Sequence, residues 1–600
     1  MLPVIALLVL AGGALAQPPA PIQNLPGRKT VSLNGPWQTI VDPFEVGYYN
    51  YRWQPDIESG FGANRKPSSK SELVEYDFDR SPRLRVPGDW NTQRPELLYY
   101  EGALWYKRDF DYSLPPGRRL FVHFGAANYH AIVVLNGKKL GEHVGGFTPF
   151  NFEITHLVRE KGNFLIVLVN NARRMEGVPT VNTDWWNYGG LTRDVQLVEV
   201  PETFIEDYSI QLEKGSRSRV GGWVRLNGPR LQQKITLTIP EAGAAVTVRT
   251  GEGGYAAIGL DAKLSLWGPE NPKLYDVALE AETDRVRDSI GFRTIETSGA
   301  NILLNGKPIF LRGITMHAEA PYRTGRAWSE DDARTLLGWA AELNCNFVRL
   351  AHYPHDERMI RLADRMGLLV WAEIPVYWTI RWENPQTYAN AENQLVEMIA
   401  RDKNRASVIL WSVANETPIS EPRLQFLTRL VERARREDPT RLLTAALQVH
   451  GADADTQMLD DPLGKVLDVL GCNEYVGWYV GLPERADRIQ WKTAFDKPLI
   501  MSEFGAGALQ GYHGDDLTIF TEEYQRSVYE HQIGMLKRIP FLRGTSPWIL
   551  MDFRSPRRTL PGIQDYFNRK GLISERGQKK AAFFVMQQFY ESLKSAEPRP

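Results

Sequence analysis

Two apolar runs in this chain finish on a glutamate. VILWSVANE, residues 408–416, ends with Asn415 and Glu416, and LIMSE, residues 499–503, ends with Glu503. An unpaired carboxylate in an apolar setting is costly, so a glutamate there is paired, solvated or kept for chemistry. Two carboxylates opening on one small cavity are the working parts of glycoside hydrolysis. One gives its proton to the leaving oxygen, while the other attacks the anomeric carbon or activates water. The competing reading pairs each glutamate with an arginine, such as Arg349, in a structural network. It serves well for one glutamate; two of them on opposed strands weigh against it.

The elements that must hold these residues are legible from the rhythm of the chain. From about Gly299, short apolar runs alternate with amphipathic stretches: IFLRGITMH (309–317), NFVRLAHYP (346–354), LLVWAEIP (368–375), VILWSVANE (408–416), LLTAALQ (442–448), VLGCNEY (469–475), PLIMSEFG (498–505) and SPWILMDF (546–553). Eight buried strands with helical segments between them, such as SEDDARTLLGWAAEL and EPRLQFLTRLVERARRE, predict a parallel (β/α)8 TIM barrel over residues 298–600. Active sites of such barrels form at the C-terminal ends of the strands. The residues standing there are His317, His352, Glu373, Asn415, Glu416, Tyr475, Glu503 and Trp548. Strands four and seven face each other across the mouth, which would bring Glu416 and Glu503 to one cavity.

Upstream, period-two alternation broken by Asn-Gly and Gly-Gly turns predicts a β-sandwich over residues 31–200, with strands such as RLFVHFGAA and NFLIVLVNN. A second all-β block over 201–297 has the length of an immunoglobulin-like sandwich. Residues 1–16 read as a signal peptide: an apolar run from Val4 to Leu10, then Ala14-Leu15-Ala16 before Gln17. A secreted or periplasmic protein is therefore expected. Residues 17–30 form a Pro-rich leader, expected to be extended and poorly ordered.

The net charge of −1 argues against nucleic acid or a membrane surface as partner, and no later segment is apolar for long enough to span a membrane. The 17 Trp and 24 Tyr suit the apolar faces of sugars, pointing to a carbohydrate substrate. Cys345 and Cys472 are the only cysteines, expected as buried free thiols rather than a disulfide framework. The sequence leaves a homo-oligomer open.

With VPGDWN (86–91), ALWYKRDF (103–110), VLNGKKLGEHVGGFTPFNFEIT (134–155) and DWWNYGGLTRDV (184–195) ahead of LRGITMH, RLAHYPH, WSVANETP and MSEFGAG, the chain resembles glycoside hydrolase family 2, most closely its β-glucuronidase branch. The resemblance covers nearly all of the chain after the leader. It implies that the first block is a sugar-binding jelly-roll. It also implies an exo-acting, retaining enzyme that releases terminal β-glucuronic acid from glucuronides or oligosaccharides. Glu416 matches the general acid/base, Glu503 the nucleophile, Asn415 a residue that binds the sugar 2-hydroxyl, and Tyr475 a phenol beside the nucleophile. A retaining pair implies carboxyls about 5–5.5 Å apart, with Glu416 protonated beside an ionised Glu503.

Asn568 and Lys570, in YFNRKGLIS, match an Asn-x-Lys motif that holds the C6 carboxylate. An ammonium with an amide donor suits a carboxylate and would lack its ionic partner on a neutral hexose. Asp184 matches a first-domain residue that reaches the site. Arg554, Arg557 and Arg558, in MDFRSPRR, supply cations of which one, taken as Arg554, is expected to face the cavity. The chain departs from the family in having Tyr475-Val476 where a tyrosine pair is usual, and WAEIPVYW where an Asp-Glu pair is usual, which leaves Glu373 a site residue of open role. The Glu-x-His pair that supports magnesium in the large β-galactosidases has no counterpart, so no metal and no cofactor are expected. His317 and His352 have no i, i+4 partner for zinc and fit sugar-hydroxyl contacts or satisfied barrel-mouth histidines instead. The segment after His317, AEAPYRTGRAWSEDD, is short, which suggests an open site serving oligosaccharide ends. The alternatives are a β-galacturonidase or β-galactosidase of the same family and, in another class, a non-catalytic carbohydrate-binding protein.

Overall fold

A computed structural model describes residues 21–596. The expected signal peptide lies outside the described residues. The first domain is a two-sheet sandwich. One sheet orders strands 29–32, 195–201, 118–124 and 150–153; the other orders 83–86, 35–42, 103–110, 163–170, 130–135 and 138–144. The hairpin between 130–135 and 138–144 turns on Asn136 (φ 52°) and Gly137 (φ 81°), the two left-handed residues that such a tight turn demands. Between the sheets lie Trp37, Leu104, Tyr106, Val122, Phe124 and Val167. The second domain packs strands 204–212, 219–227 and 255–261 against a sheet of 244–249, 234–239, 275–281 and 285–290.

The third domain is a closed barrel of eight parallel strands: β1 Leu311–Met316, β2 Phe347–Leu350, β3 Leu369–Glu373, β4 Val408–Asn415, β5 Leu442–Leu447, β6 Leu470–Asn473, β7 Leu499–Glu503 and β8 Leu542–Thr545. Its two ends differ in chemistry. Leu311, Phe347, Leu369, Leu442, Val469 and Ile500, at the strand starts, join Trp267, Ile295 and Ile302 in one dry cluster that seals the N-terminal end. At the other end β3, β4, β6, β7 and β8 finish on Glu373, Asn415, Asn473, Glu503 and Thr545, and His317 and His352 follow β1 and β2, so that end gathers the polar groups that can solvate a charge.

Two expectations are corrected. The eighth strand is Leu542–Thr545, not 546–553. Gly544 sits where Leu311 approaches to 2.8 Å of any added Cβ, close enough that only a glycine lets β8 pair with both β1 and β7. SPWILMD runs on beyond the strand as a loop buried against the barrel mouth, and Phe553 opens a two-residue strand paired with Phe567–Asn568 outside the barrel; the apolarity of the segment reports burial rather than a place in the barrel sheet. The leader is not loose over its described part. Ile22 packs on Phe121, Val198 and Phe204, its N–H donates to Asn151 Oδ1 at 2.8 Å, and Arg361 donates to Asn24 Oδ1 at 3.1 Å. Gln23 donates to the Ala400 carbonyl, so this short segment ties the first domain to the barrel. Cys345 and Cys472 are free and buried.

The first domain docks on the barrel so that its 184–188 loop reaches the mouth. The Trp186 N–H donates to the Arg554 carbonyl at 3.0 Å, Tyr188 donates to Glu319 at 2.7 Å, and Arg193 donates to the Pro354 carbonyl at 2.6 Å.

Candidate active site

Arg349, in β2, is fully buried beneath the mouth and organises it. Its Nη1 donates to Glu503 Oε1 at 2.8 Å, and its Nη2 donates to Glu373 Oε1 at 3.1 Å and to Asn415 Oδ1 at 2.7 Å. Tyr475 donates to the other oxygen of Glu503, Oε2, at 2.7 Å. Burial pushes the Glu503 carboxyl above its ordinary range, and the Glu416 charge adds to the push; Arg349, His352 and the Tyr475 hydroxyl oppose it. Glu373 faces the contrary balance. Its burial disfavours charge, but Arg349 and His352, whose Nδ1 lies 2.7 Å from Glu373 Oε1, outweigh that and bring its pKa down to about 2. Glu373 is therefore a fixed anion that orients Arg349 and His352.

Glu416 sits differently. An extended strand sends consecutive side chains to opposite faces, so adjacent Asn415 and Glu416 cannot both serve the mouth without a break in geometry. The break is present. The β4–β5 register shifts between Ser412 and Asn415, and Glu416 takes a left-handed φ of 50°. No arginine or lysine pairs with Glu416 among the described residues; its Oε2 accepts the Trp378 Nε1–H at 2.9 Å. The two glutamates are thus held in unlike ways, one clamped by a cation and a phenol, the other by a neutral indole.

Both line a cavity of about 330 Å³ with Asp184, His352, Tyr377, Trp378, Tyr475, Tyr479, Trp548, Arg557, Arg558 and Lys570. Trp548 stacks on His352 with ring centroids 4.8 Å apart. On one wall the Lys570 ammonium is buried, hydrogen-bonded to Tyr479 OH at 2.7 Å and lying over the rings of Tyr475 (5.2 Å) and Tyr479 (4.7 Å). Burial pulls it below the usual lysine range; Tyr479 works against that pull and the Arg558 charge adds to it. Among the described residues no carboxylate pairs with Lys570; Asp184, whose charge acts on it, is engaged elsewhere, accepting from Arg558, from Ser555 and, at 3.1 Å, from Asn568 Nδ2. Burial resists ionisation of Tyr479, but Lys570 and Arg558 outweigh it and lower that phenol's pKa.

The model of the TIM barrel domain of glycosyl hydrolases family 2 matches residues 295–595, and that family's sugar binding domain matches residues 30–201. The chain belongs to glycosyl hydrolases family 2. It is a glycoside hydrolase. A β-glucuronidase of Canis lupus familiaris is 30% identical to it over 652 residues, covering 98% of this chain and 93% of that protein. The solved structure of a β-glucuronidase from an uncultured Clostridium sp. superposes with a TM-score of 0.80 at 26% identity, covering 95% of this chain and 99% of that one. A family 2 β-galacturonidase from Eisenbergiella tayi shares the fold, with a TM-score of 0.77 at 24% identity over 94% of this chain and 96% of that one.

In this family 2 hydrolase the residues singled out from sequence fall into two groups. Glu416, Glu503, Tyr475, Asp184, His352, Trp548 and Lys570 line the cavity. Asn415, Glu373, His317, Asn568 and Arg554 stand outside its lining. Asn415 is buried with its Oδ1 engaged by Arg349 and its Nδ2 without a partner. His317 is buried against Phe553 and Trp548, with Nδ1 3.1 Å from Tyr353 OH and Nε2 without a partner among the described residues, and burial drives its pKa well below the ordinary value, so the ring is neutral. Asn568 donates to Asp184 and accepts the Lys570 N–H at 3.2 Å, which makes it a brace for that wall. Arg554 lies over the Phe567 ring at 4.7 Å; of the three arginines in its cluster it is Arg557 and Arg558 that reach the cavity.

Tyr377, Trp378 and Tyr479 were not anticipated. Tyr377 and Trp378 end WAEIPVYW and Tyr479 lies four residues past VLGCNEY, but aromatic residues in such runs do not announce whether they face a core or a cavity. Among the described residues no group of three or more His, Cys, Asp and Glu is arranged to hold a metal ion, and no helix is long and apolar enough to cross a membrane.

Proposed function

We propose that this family 2 hydrolase is an exo-acting β-glucuronidase that removes terminal β-linked glucuronic acid with retention of configuration. The observation that carries the reading is Lys570, a buried ammonium on the cavity wall whose polar partner is a phenol and not a carboxylate. Such a charge is costly to bury unpaired and is relieved by a substrate that brings its own carboxylate, as a uronic acid does. Tyr479 supports the same end, being a hydroxyl already oriented between Lys570 and Arg558.

Glu503 attacks the anomeric carbon as Glu416 gives its proton to the glycosidic oxygen, so the C–O bond to the leaving group breaks while a glycosyl–Glu503 ester forms. Water then attacks the same carbon, Glu416 takes a proton from it, and Glu503 departs as a carboxylate. Arg349 and Tyr475 hold Glu503 on its two oxygens throughout, which fixes the lone pair that attacks. Asn415, whose Nδ2 is unengaged, is assigned to the sugar 2-hydroxyl.

The test is turnover of 4-nitrophenyl β-glucuronide, β-galacturonide and β-galactoside by the wild type and by Glu503→Ala. The glucuronide should be the best substrate, with the β-anomer of glucuronic acid as first product. Preference for the galacturonide would replace the sugar assignment, and no turnover of any of the three would favour a carbohydrate-binding protein. Export belongs to the same proposal. N-terminal sequencing of the protein from medium or periplasm should begin at Gln17, and a cytoplasmic chain that keeps its first residues would overturn that part.

A further inference from the structure

We infer that the leaving-group side of the cavity is a second anion-recognising position, and that the substrate carries an acidic sugar next to its terminal uronic acid. The inference rests on the glycosidase reading above and concerns the group that departs, not the sugar that is held. Its starting point is the state of the cations around the cavity. Arg349 is engaged by Glu503 and Glu373, and Arg558 by Asp184. Among the described residues two lining cations have no carboxylate partner: Lys570, which is buried, and Arg557, which is exposed at the rim.

They do not serve one locus. Lys570 lies over Tyr475 and Tyr479, whereas the Arg557 guanidinium lies over the Trp378 ring, 4.9 Å from its centroid. That indole is the group that donates to Glu416 Oε2. Glu416, as the acid, must touch the glycosidic oxygen. The residue attached to that oxygen therefore leaves past Trp378 and the arginine stacked on it. Arg557 is held there from two sides: its Nη1 donates to Asn182 Oδ1 at 2.5 Å, and its backbone N–H donates to Ser555 Oγ at 3.2 Å. The guanidinium lies over the indole, and of its N–H groups only Nη1, on Asn182, has an acceptor among the described residues, which leaves Nε and Nη2 for a carboxylate or a sulfate in a bidentate pair. A neutral leaving group would use Trp378 and leave those donors to water.

The experiment compares three disaccharides of one linkage, each with terminal β-glucuronic acid, on glucose, on glucuronic acid and on glucose 6-sulfate, by the rate of glucuronic acid release. In low salt the wild type should cleave at least one acidic substrate with a kcat/KM about tenfold above the neutral one, and the preference should shrink at high salt. Whether the carboxylate or the sulfate gains more identifies the source of the anion. Arg557→Gln should erase the preference, losing about tenfold more on the favoured acidic substrate than on the neutral one, and Arg557→Lys should restore part of it. Equal losses on all three substrates, or no acidic preference in the wild type, would overturn the inference while leaving the glucuronidase reading intact. Failure to cleave even the neutral glucuronyl disaccharide would instead strike the parent reading.

Discussion

The Tyr475 hydroxyl lies 2.7 Å from Glu503 Oε2, on the opposite oxygen from the one that Arg349 holds. The arginine that a purely structural reading would demand is thus present, yet it takes one oxygen of Glu503 and none of Glu416. One buried cation serves as both structural anchor and orienting group.

That contact gives a pH signature. On the proposed mechanism Glu503 must be ionised to attack, and Tyr475 is one of the groups that oppose the upward push of burial and Glu416 on its pKa. Removing the hydroxyl in Tyr475→Phe leaves burial less opposed, so the Glu503 pKa rises further. The acid limb of kcat/KM should move to higher pH in the variant, with a loss of about tenfold to a hundredfold at the wild-type optimum. An acid limb that stays in place would mean the hydroxyl does not act on Glu503.

Lys570→Ala should reduce kcat/KM on 4-nitrophenyl β-glucuronide by about a hundredfold or more and act far less on the galactoside, because only the uronic acid loses an ionic partner. The ratio of the two substrates is the measurement. Equal losses on both would make Lys570 a structural residue.

Glu373→Gln replaces a carboxylate that accepts from Arg349, His352 and Trp371 with a group that must turn one N–H toward a donor. Breaking a buried pair in this way costs about 3 kcal/mol or more. A lowered thermal midpoint is expected, together with a kcat loss on every substrate, since Arg349 also orients Glu503. Full activity would show that Arg349 needs no help from Glu373.

Glu319, buried where the first domain meets the barrel, has its pKa raised to about 7, chiefly by burial, against the pull of Tyr188 and Arg326. Its folded pKa lies above the unfolded one. The native state is therefore favoured by this group below the unfolded value of about 4.5, and that support is lost as pH rises through about 7. Glu319→Gln, which cannot ionise, should exceed the wild type in stability by about 3 kcal/mol at pH 8 and by under about 1 kcal/mol at pH 5. Thermal midpoints at the two pH values check this; a gap that widens toward acid would reverse the assignment.

The sequence by itself determined the order of elements and pointed to the two glutamates that line one cavity. Alternation with Asn-Gly turns fixes a hairpin locally, and a run of nine residues that ends on Asn415-Glu416 states that a strand approaches a polar surface, because burial and solvation act residue by residue. Patterning could not say where pairing stops. SPWILMDF is as apolar as any strand here, yet β8 lies just before it, since closure of the barrel depends on how near Gly544 lets Leu311 come.

Tertiary structure alone decided which cations remain free. MDFRSPRR offers three arginines of equal charge along one loop; only their distances to Asp184, Trp378 and Phe567 separate the one engaged by a carboxylate, the one over the indole that donates to Glu416 and the one over Phe567. Electrostatic pairing falls off over a few ångströms and joins residues hundreds of positions apart, as Asp184 and Arg558 are. A chain read in order carries the charges but not the distances between them.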